Sequence, residues 1–224
     1  MSSTELSPSP GAIIFDFDGT VSLGHGPVLA YAEAIAQNAD IPEFLPAINR
    51  LFQLDEVHID DYFPRDGYDA VQSLARYYGV TDSQLEQAYQ KSRTQLESTE
   101  IHGVPSLIEF LRDTSWTTVL ASNSPTTGIA AALEKLGLNH SFDHVINSVG
   151  KPMGLDAVLD QFASGTDVIG VGDIWDFDLA PIHARGGTTV LMKSQFRQPR
   201  SCTPSVMVSD PADLVSTLHS LIER

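Results

Sequence analysis

The segment Ala12-Ile13-Ile14-Phe15-Asp16-Phe17-Asp18-Gly19-Thr20 constrains the fold of this chain more than any other. Four apolar residues without a polar break fit a strand buried on both faces, the kind found in parallel sheets with helices on either side. The run then ends in acid. Residues two apart on an extended segment project the same way, so Asp16 and Asp18 stand side by side beyond the strand tip. Two carboxylates at the end of a buried strand are costly unless a cation sits near them.

Beyond about residue 100, strand and helix patterns alternate. TTVLAS, HVINS, DVIGVG, TTVLM and SVMVS read as strands; VPSLIEFLRD, PTTGIAAALEKLGL, GLDAVLDQFA, FDLAPIHARGG and PADLVSTLHSLIE read as helices. Such alternation predicts a Rossmann-like, doubly wound parallel sheet. Between the first strand and residue 100 the pattern is helical throughout, in PVLAYAEAIAQ, PEFLPAINRLFQL, DAVQSLARYYG and TDSQLEQAYQKSRTQLE. The expected organisation is a disordered tail at 1–10, an α/β core made of 11–21 and 101–224, and an all-helical insertion at 22–100.

Open parallel sheets bind ligands at the carboxyl ends of their strands, so what stands there matters. The first strand ends in Asp16 and Asp18, the next in Ser122-Asn123-Ser124, the third is followed by Lys151, and DVIGVG runs into Asp173, with Asp176 and Asp178 behind it. Repulsion among Asp16, Asp18 and Asp173 calls for a cation, and hard oxygen ligands with room for water suit Mg²⁺. Ser122, Asn123 and the following amides at a helix start can meet an anion, and Lys151 adds a point charge. Such a set is built for a phosphoryl group, whose transfer needs placement and charge neutralisation above all.

With these residues in order, the sequence resembles the haloacid dehalogenase-like (HAD) superfamily in its Mg²⁺-dependent phosphatase branch. IIFDFDGT matches that family's first motif, VLASNS its second, the lysine of GKP its third, and VGDIWDFDLAPIHARGG its fourth. The resemblance implies Asp16 as the nucleophile that becomes phosphorylated and Asp18 as the general acid/base, lending its backbone carbonyl to the metal. It implies Ser122 and Lys151 as holders of the phosphoryl group, with Gly19, Thr20 and Asn123 beside it, and Asp173 as an acidic metal ligand. Ile174 stands where the family usually has Ser, and the spacing favours Asp178 over Asp176 as the second acid of that motif. The insertion then corresponds to a C1-type helical cap. Asp18 disfavours a hydrolytic dehalogenase. A sugar-phosphate mutase of the β-phosphoglucomutase kind keeps all four motifs and stands as the alternative to hydrolysis of a small phosphorylated metabolite.

Charge narrows the partners further. The 224 residues carry 13 Lys+Arg against 29 Asp+Glu, a formal net charge of −16, which suits neither nucleic acid nor an anionic membrane. The insertion holds 13 of the acids and 5 of the bases. Arg50, Arg65 and Arg76 are its candidates for meeting an anionic substrate, although solvated or paired arginines are the commoner case, and His25 could reach the substrate but reads first as a loop histidine. The acidic stretch Asp55–Asp61 reads as a solvated loop, and Lys193, Arg197 and Arg200 as a surface loop by default, although one that could edge the site. One cysteine, Cys202, leaves no intramolecular disulfide, and no segment reads as a leader or membrane span, so the expected location is the cytoplasm.

Overall fold

The computed structural model describes residues 9–93 and 100–223. The chain runs through β1 (Gly11–Phe15), β2 (Ser22–Leu23), the helices α1 (Gly26–Ala39), α2 (Phe44–Leu51), α3 (Gly67–Tyr77) and α4 (Asp82–Arg93), and β3 (His102–Gly103). It then alternates through α5 (Leu107–Asp113), β4 (Thr117–Ala121), α6 (Thr126–Lys135), β5 (His144–Ile146), α7 (Met153–Leu159) and β6 (Asp167–Gly172). A π-helical turn at Trp175–Leu179, α8 (Ala180–Ala184), β7 (Thr188–Met192), β8 (Val206–Val208), a 3₁₀ turn at Pro211–Asp213 and α9 (Leu214–Ile222) complete it.

Six of the strands form the expected parallel sheet, in the order β5-β4-β1-β6-β7-β8. β1 lies inside it, paired with β4 from Ala12↔Thr117 to Phe15↔Leu120 and with β6 from Gly11↔Asp167 to Phe15↔Val171. Its side chains alternate between two cores. Ile13 and Phe15 pack with Phe110 of α5, Leu133 of α6 and Leu218 of α9, whereas Ile14 packs with Leu155 and Leu159 of α7 and Ile182 of α8. Each such fully buried aliphatic or aromatic side chain contributes roughly 1.5–3 kcal/mol, which is why this strand has no polar face. The chain leaves β1 for β4 on one side and later returns to β6 on the other. The crevice beyond Phe15 is therefore a topological switch point.

The insertion builds a core of its own. Tyr31 and Ile35 of α1, Phe44 and Ile48 of α2, Val71 of α3, and Leu85 and Ala88 of α4 are buried together. Asp66 starts α3 by accepting the Asp69 N–H at 2.7 Å, and Asp69 puts an acid in the first turn. The helix expected over 81–97 is observed to Arg93, and residues 94–97 lie outside the described part.

Three expectations need correction. The segment around 22–100 is not helical from its first residue, because Ser22↔Gly103 and Leu23↔His102 pair antiparallel at the root of the insertion. Strands of two residues are too short to print an alternation. Second, of the tail expected to be disordered over 1–10, Ser9 and Pro10 are in place: the Ser9 hydroxyl accepts the Thr117 N–H at 3.2 Å, while residues 1–8 lie outside the described part. Third, FDLAPIHARGG does not open as an α-helix but as the π-helical turn. Among the described residues no helix is long and apolar enough to cross a membrane.

Candidate active site

Beyond β1 the backbone continues one more residue as strand, with the Asp16 N–H on the Val171 carbonyl at 2.9 Å, and then coils tightly. The Phe17 carbonyl accepts from Thr20, Val21 and Ser22 at 3.3, 3.0 and 2.8 Å. The coil needs glycine at its outer corner: Gly19 has φ +85, and a Cβ there would stand 2.5 Å from Asp173 Oδ2. The same coil turns Thr20 inward. Its side chain is fully buried, its Oγ1 has no hydrogen-bond partner, and it does not line the cavity above, so the expected place of Thr20 beside a phosphate is corrected.

Three acids converge where β1 and β6 end. Asp16, Asp173 and Asp178 each bring a carboxylate oxygen within 4.8 Å of the others. Lys151, delivered by the loop after β5, donates from Nζ to Asp16 Oδ1 at 2.5 Å and to Asp178 Oδ1 at 2.6 Å. The π-helical turn brings Asp178 back to this point: its N–H reaches the Ile174 carbonyl at 2.9 Å, and its Oδ2 accepts the Ile174 N–H at 3.0 Å. Asp176 on the same turn faces solvent, so of the two acids it is Asp178 that stands with Asp16 and Asp173. Gly172 makes room for it, since a Cβ there would lie 2.3 Å from the Asp178 Cβ.

Charge is concentrated and short of cations. Burial, with Asp16 next to it, pushes the Asp178 carboxyl up to about 7 although Lys151 and the Ile174 N–H pull it down. Burial and the neighbouring Asp16 and Asp178 push Asp173 well above the carboxylate range, and its buried Oδ1 has no partner. Burial would strip the Lys151 proton, but Asp16 and Asp178 hold it more firmly than usual. An orphaned oxygen among three converging carboxylates is what a hard divalent cation such as Mg²⁺ would satisfy, so the residues present fit one.

The end of β4 supplies hydroxyls. Ser122 Oγ accepts the Ser124 N–H at 3.0 Å, which leaves its proton for an anion in the cavity. Asn123 turns its Oδ1 to the Lys151 N–H at 2.7 Å and so fixes the lysine loop. Ser124 Oγ donates to Asp18 Oδ2 at 3.0 Å. Burial pushes the Asp18 carboxyl up, opposed mainly by Arg93 and reinforced by Asp16.

These groups floor a cavity of about 680 Å³ lined further by His25, Tyr68, Tyr89 and Arg93 of the insertion and by Phe177, Gln195 and Phe196 of the core loops. Another cavity, about 1090 Å³, opens at the amino ends of the strands around Arg185 and is remote from the acids. His25 lies in the loop just before α1, as expected, and is held there. It stacks on Phe52 at 4.6 Å and meets Gln195 Nε2 at 3.1 Å, and burial holds its imidazole below the usual range.

The three arginines weighed as substrate contacts do not line this cavity and are paired or solvated, the commoner case. Arg65 pairs with Asp69 and lies over the Phe177 ring, and Arg76 pairs with Asp82. Arg50 is exposed. Arg93, not singled out by the sequence pattern, is the insertion's buried arginine in the site. Its signal was the four-residue spacing from Tyr89, which puts both on one face of α4. Gln198 was missed as well: it donates to the Asp173 carbonyl and accepts the Trp175 N–H, each at 2.9 Å. Of the basic run, Lys193 lines the cavity, Arg197 is spent on Glu56, and Arg200 is exposed.

The family model of the haloacid dehalogenase-like hydrolases matches residues 10–186. No curated protein matches the chain. Solved structures similar to it include YfnB of Bacillus subtilis, assigned as a HAD-hydrolase and solved bound to magnesium, at 16% identity and TM-score 0.65 over 93% of this chain and 98% of that one. A Thermotoga maritima protein assigned as a β-phosphoglucomutase is 14% identical with TM-score 0.61, covering 94% and 99%. The L-2-haloacid dehalogenase of Xanthobacter autotrophicus is 17% identical with TM-score 0.60, covering 94% and 99%. At these identities the likeness is one of fold, and the names of the last two stand for different reactions.

Proposed function

From the premise that the chain belongs to the haloacid dehalogenase-like hydrolase family, we propose that it is a Mg²⁺-dependent phosphatase of a small phosphomonoester, acting through a phosphorylated Asp16. The observation that carries this is the second carboxyl, Asp18, set in the same cavity and held by Ser124 at 3.0 Å. An alkoxide leaving from phosphorus needs a proton; a halide leaving from carbon does not, and a dehalogenase would have no use for this acid.

In the first step an Asp16 carboxylate oxygen attacks phosphorus while the ester P–O bond breaks and the leaving oxygen takes the proton of Asp18. In the second, water attacks the same phosphorus, Asp18 takes up its proton, and phosphate leaves with Asp16 restored. Splitting the transfer this way replaces one difficult displacement by two easier ones. Ser122 donates its free proton to the transferring group, and Lys151 balances Asp16 and Asp178. Asp16, Asp173 and Asp178 would hold the cation. Bound there, it would neutralise phosphate charge that the acids would otherwise repel. The insertion lines part of the cavity and so would limit stray water.

Asp16→Asn tests the reading. Phosphate release from a panel of phosphorylated metabolites is expected to fall to background, and a variant that keeps the wild-type rate with Mg²⁺ present would sink it. The mutase alternative uses the same residues. It separates from hydrolysis in one assay, since a hexose monophosphate would yield an isomer instead of free phosphate.

A further inference from the structure

A short chain of hydrogen bonds ties the helical insertion to Asp18. Arg93, at the end of α4, donates from Nη2 to Ser124 Oγ at 3.3 Å and to the Tyr68 phenol at 3.0 Å, and Ser124 Oγ donates to Asp18 Oδ2 at 3.0 Å. Chemistry fixes the direction of each bond. A guanidinium only donates, so Ser124 must accept from it, and the single proton of the hydroxyl is then committed to Asp18. The arrangement is also held in place: Arg93 and Ser124 are each 6% exposed, and the guanidinium lies 4.9 Å from the Tyr89 ring centroid and 5.5 Å from that of Tyr68. Tyr68 and Tyr89 belong to the insertion, Ser124 and Asp18 to the loops of the sheet.

We infer that Arg93 is a positioning residue, which orients Ser124 and through it the Asp18 carboxyl when the insertion is seated on the core. The inference rests on the phosphatase reading, in which Asp18 protonates the leaving oxygen. General acid catalysis contributes about 10²–10⁴-fold, and only in the right geometry, so its strength depends here on a side chain that the sheet does not supply. Arg93 thereby makes proton delivery conditional on the seating of α4.

The test compares kcat/KM, which reports the steps through transfer to Asp16, on two esters that the wild type hydrolyses: p-nitrophenyl phosphate, whose leaving group departs without a proton, and a primary alkyl phosphate, whose leaving group needs one. Arg93→Met and Ser124→Ala are each expected to lose about 10²-fold on the alkyl ester, and about ten times less on the aryl ester. The double variant should be no worse than the poorer single one, and Arg93→Lys should recover part of the loss. Equal losses on both esters, multiplying losses in the double variant, or a raised KM with kcat intact, which would make Arg93 a substrate anchor, would overturn the relay alone. A wild type that releases phosphate from no member of a phosphomonoester panel, or an Asp16→Asn variant that still turns over, would overturn the phosphatase reading and the relay with it. Should Arg93→Met fail to fold, Ser124→Ala, which removes one oxygen, decides the matter on its own.

Discussion

Lys151 is the residue on which the charge of the site turns. It is 9% exposed and lies at hydrogen-bond distance from two carboxylates, with a third beside them. Removing one partner of a buried ion pair costs about 3–5 kcal/mol because the opposite charge stays buried. Lys151→Met is therefore expected to lose stability of that order in denaturant titrations without divalent cation. Added Mg²⁺ should stabilise this variant more than the wild type, since it would take over neutralisation that the lysine no longer provides. An equal response of both proteins would count against a cation site at Asp16, Asp173 and Asp178.

At the scale of elements, the loop after β1 and the start of α3 make separate predictions. Gly19→Ala places a Cβ 2.5 Å from Asp173 Oδ2 at φ +85, so it should weaken Mg²⁺ binding as well as stability, as calorimetry would read. On α3, Asp69 is half-buried and burial alone would raise its carboxyl, but the Tyr62 hydroxyl at 2.6 Å and Arg65 outweigh that and hold it below the ordinary range. A lowered folded-state pKa stabilises above the unfolded value, about 4, and the gain disappears as pH falls through the folded one. Asp69→Asn should accordingly melt earlier than wild type at neutral pH, with the gap closing below about pH 4. The sheet and the acids at its strand ends were legible in the sequence because a buried parallel strand leaves an unbroken apolar run and its end an abrupt polar one. Asp16, Asp18, Ser122, Lys151 and Asp173 all stand at such breaks and meet in one cavity. Arg93, Ser124 as the partner of Asp18, and Gln198 were less legible, because their roles depend on how the insertion and two distant loops pack, which no local period records. The inward turn of Thr20 and the π-helical turn under Asp178 are likewise set by packing against neighbouring strands.

Across the whole molecule, the insertion is seated at a second place besides the Arg93 relay. Leu51, Val57 and Ala70 close on Phe196 of the loop after β7, the Val57 N–H reaches the Gln195 carbonyl at 2.9 Å, and Arg197 pairs with Glu56 while lying over the Phe63 ring. The exposed ion pair contributes little, and the apolar clasp most of the hold. Phe196→Ala should cost about 3 kcal/mol and speed hydrogen exchange at the Val57 amide, whereas Arg197→Ala should leave that exchange nearly unchanged. On the proposed reading the net charge of −16 would repel polyanions from the open surface, while the cavity would meet a small phosphate with Lys151, the Ser122 hydroxyl and the cation its acids would hold. The central claim, that the phosphoryl group passes through Asp16, is tested most directly by mass spectrometry of a single turnover quenched in acid. The account predicts a phosphoryl group on the peptide containing Asp16, absent from Asp16→Asn. Phosphate release at full rate with that peptide unmodified at every time point would contradict it.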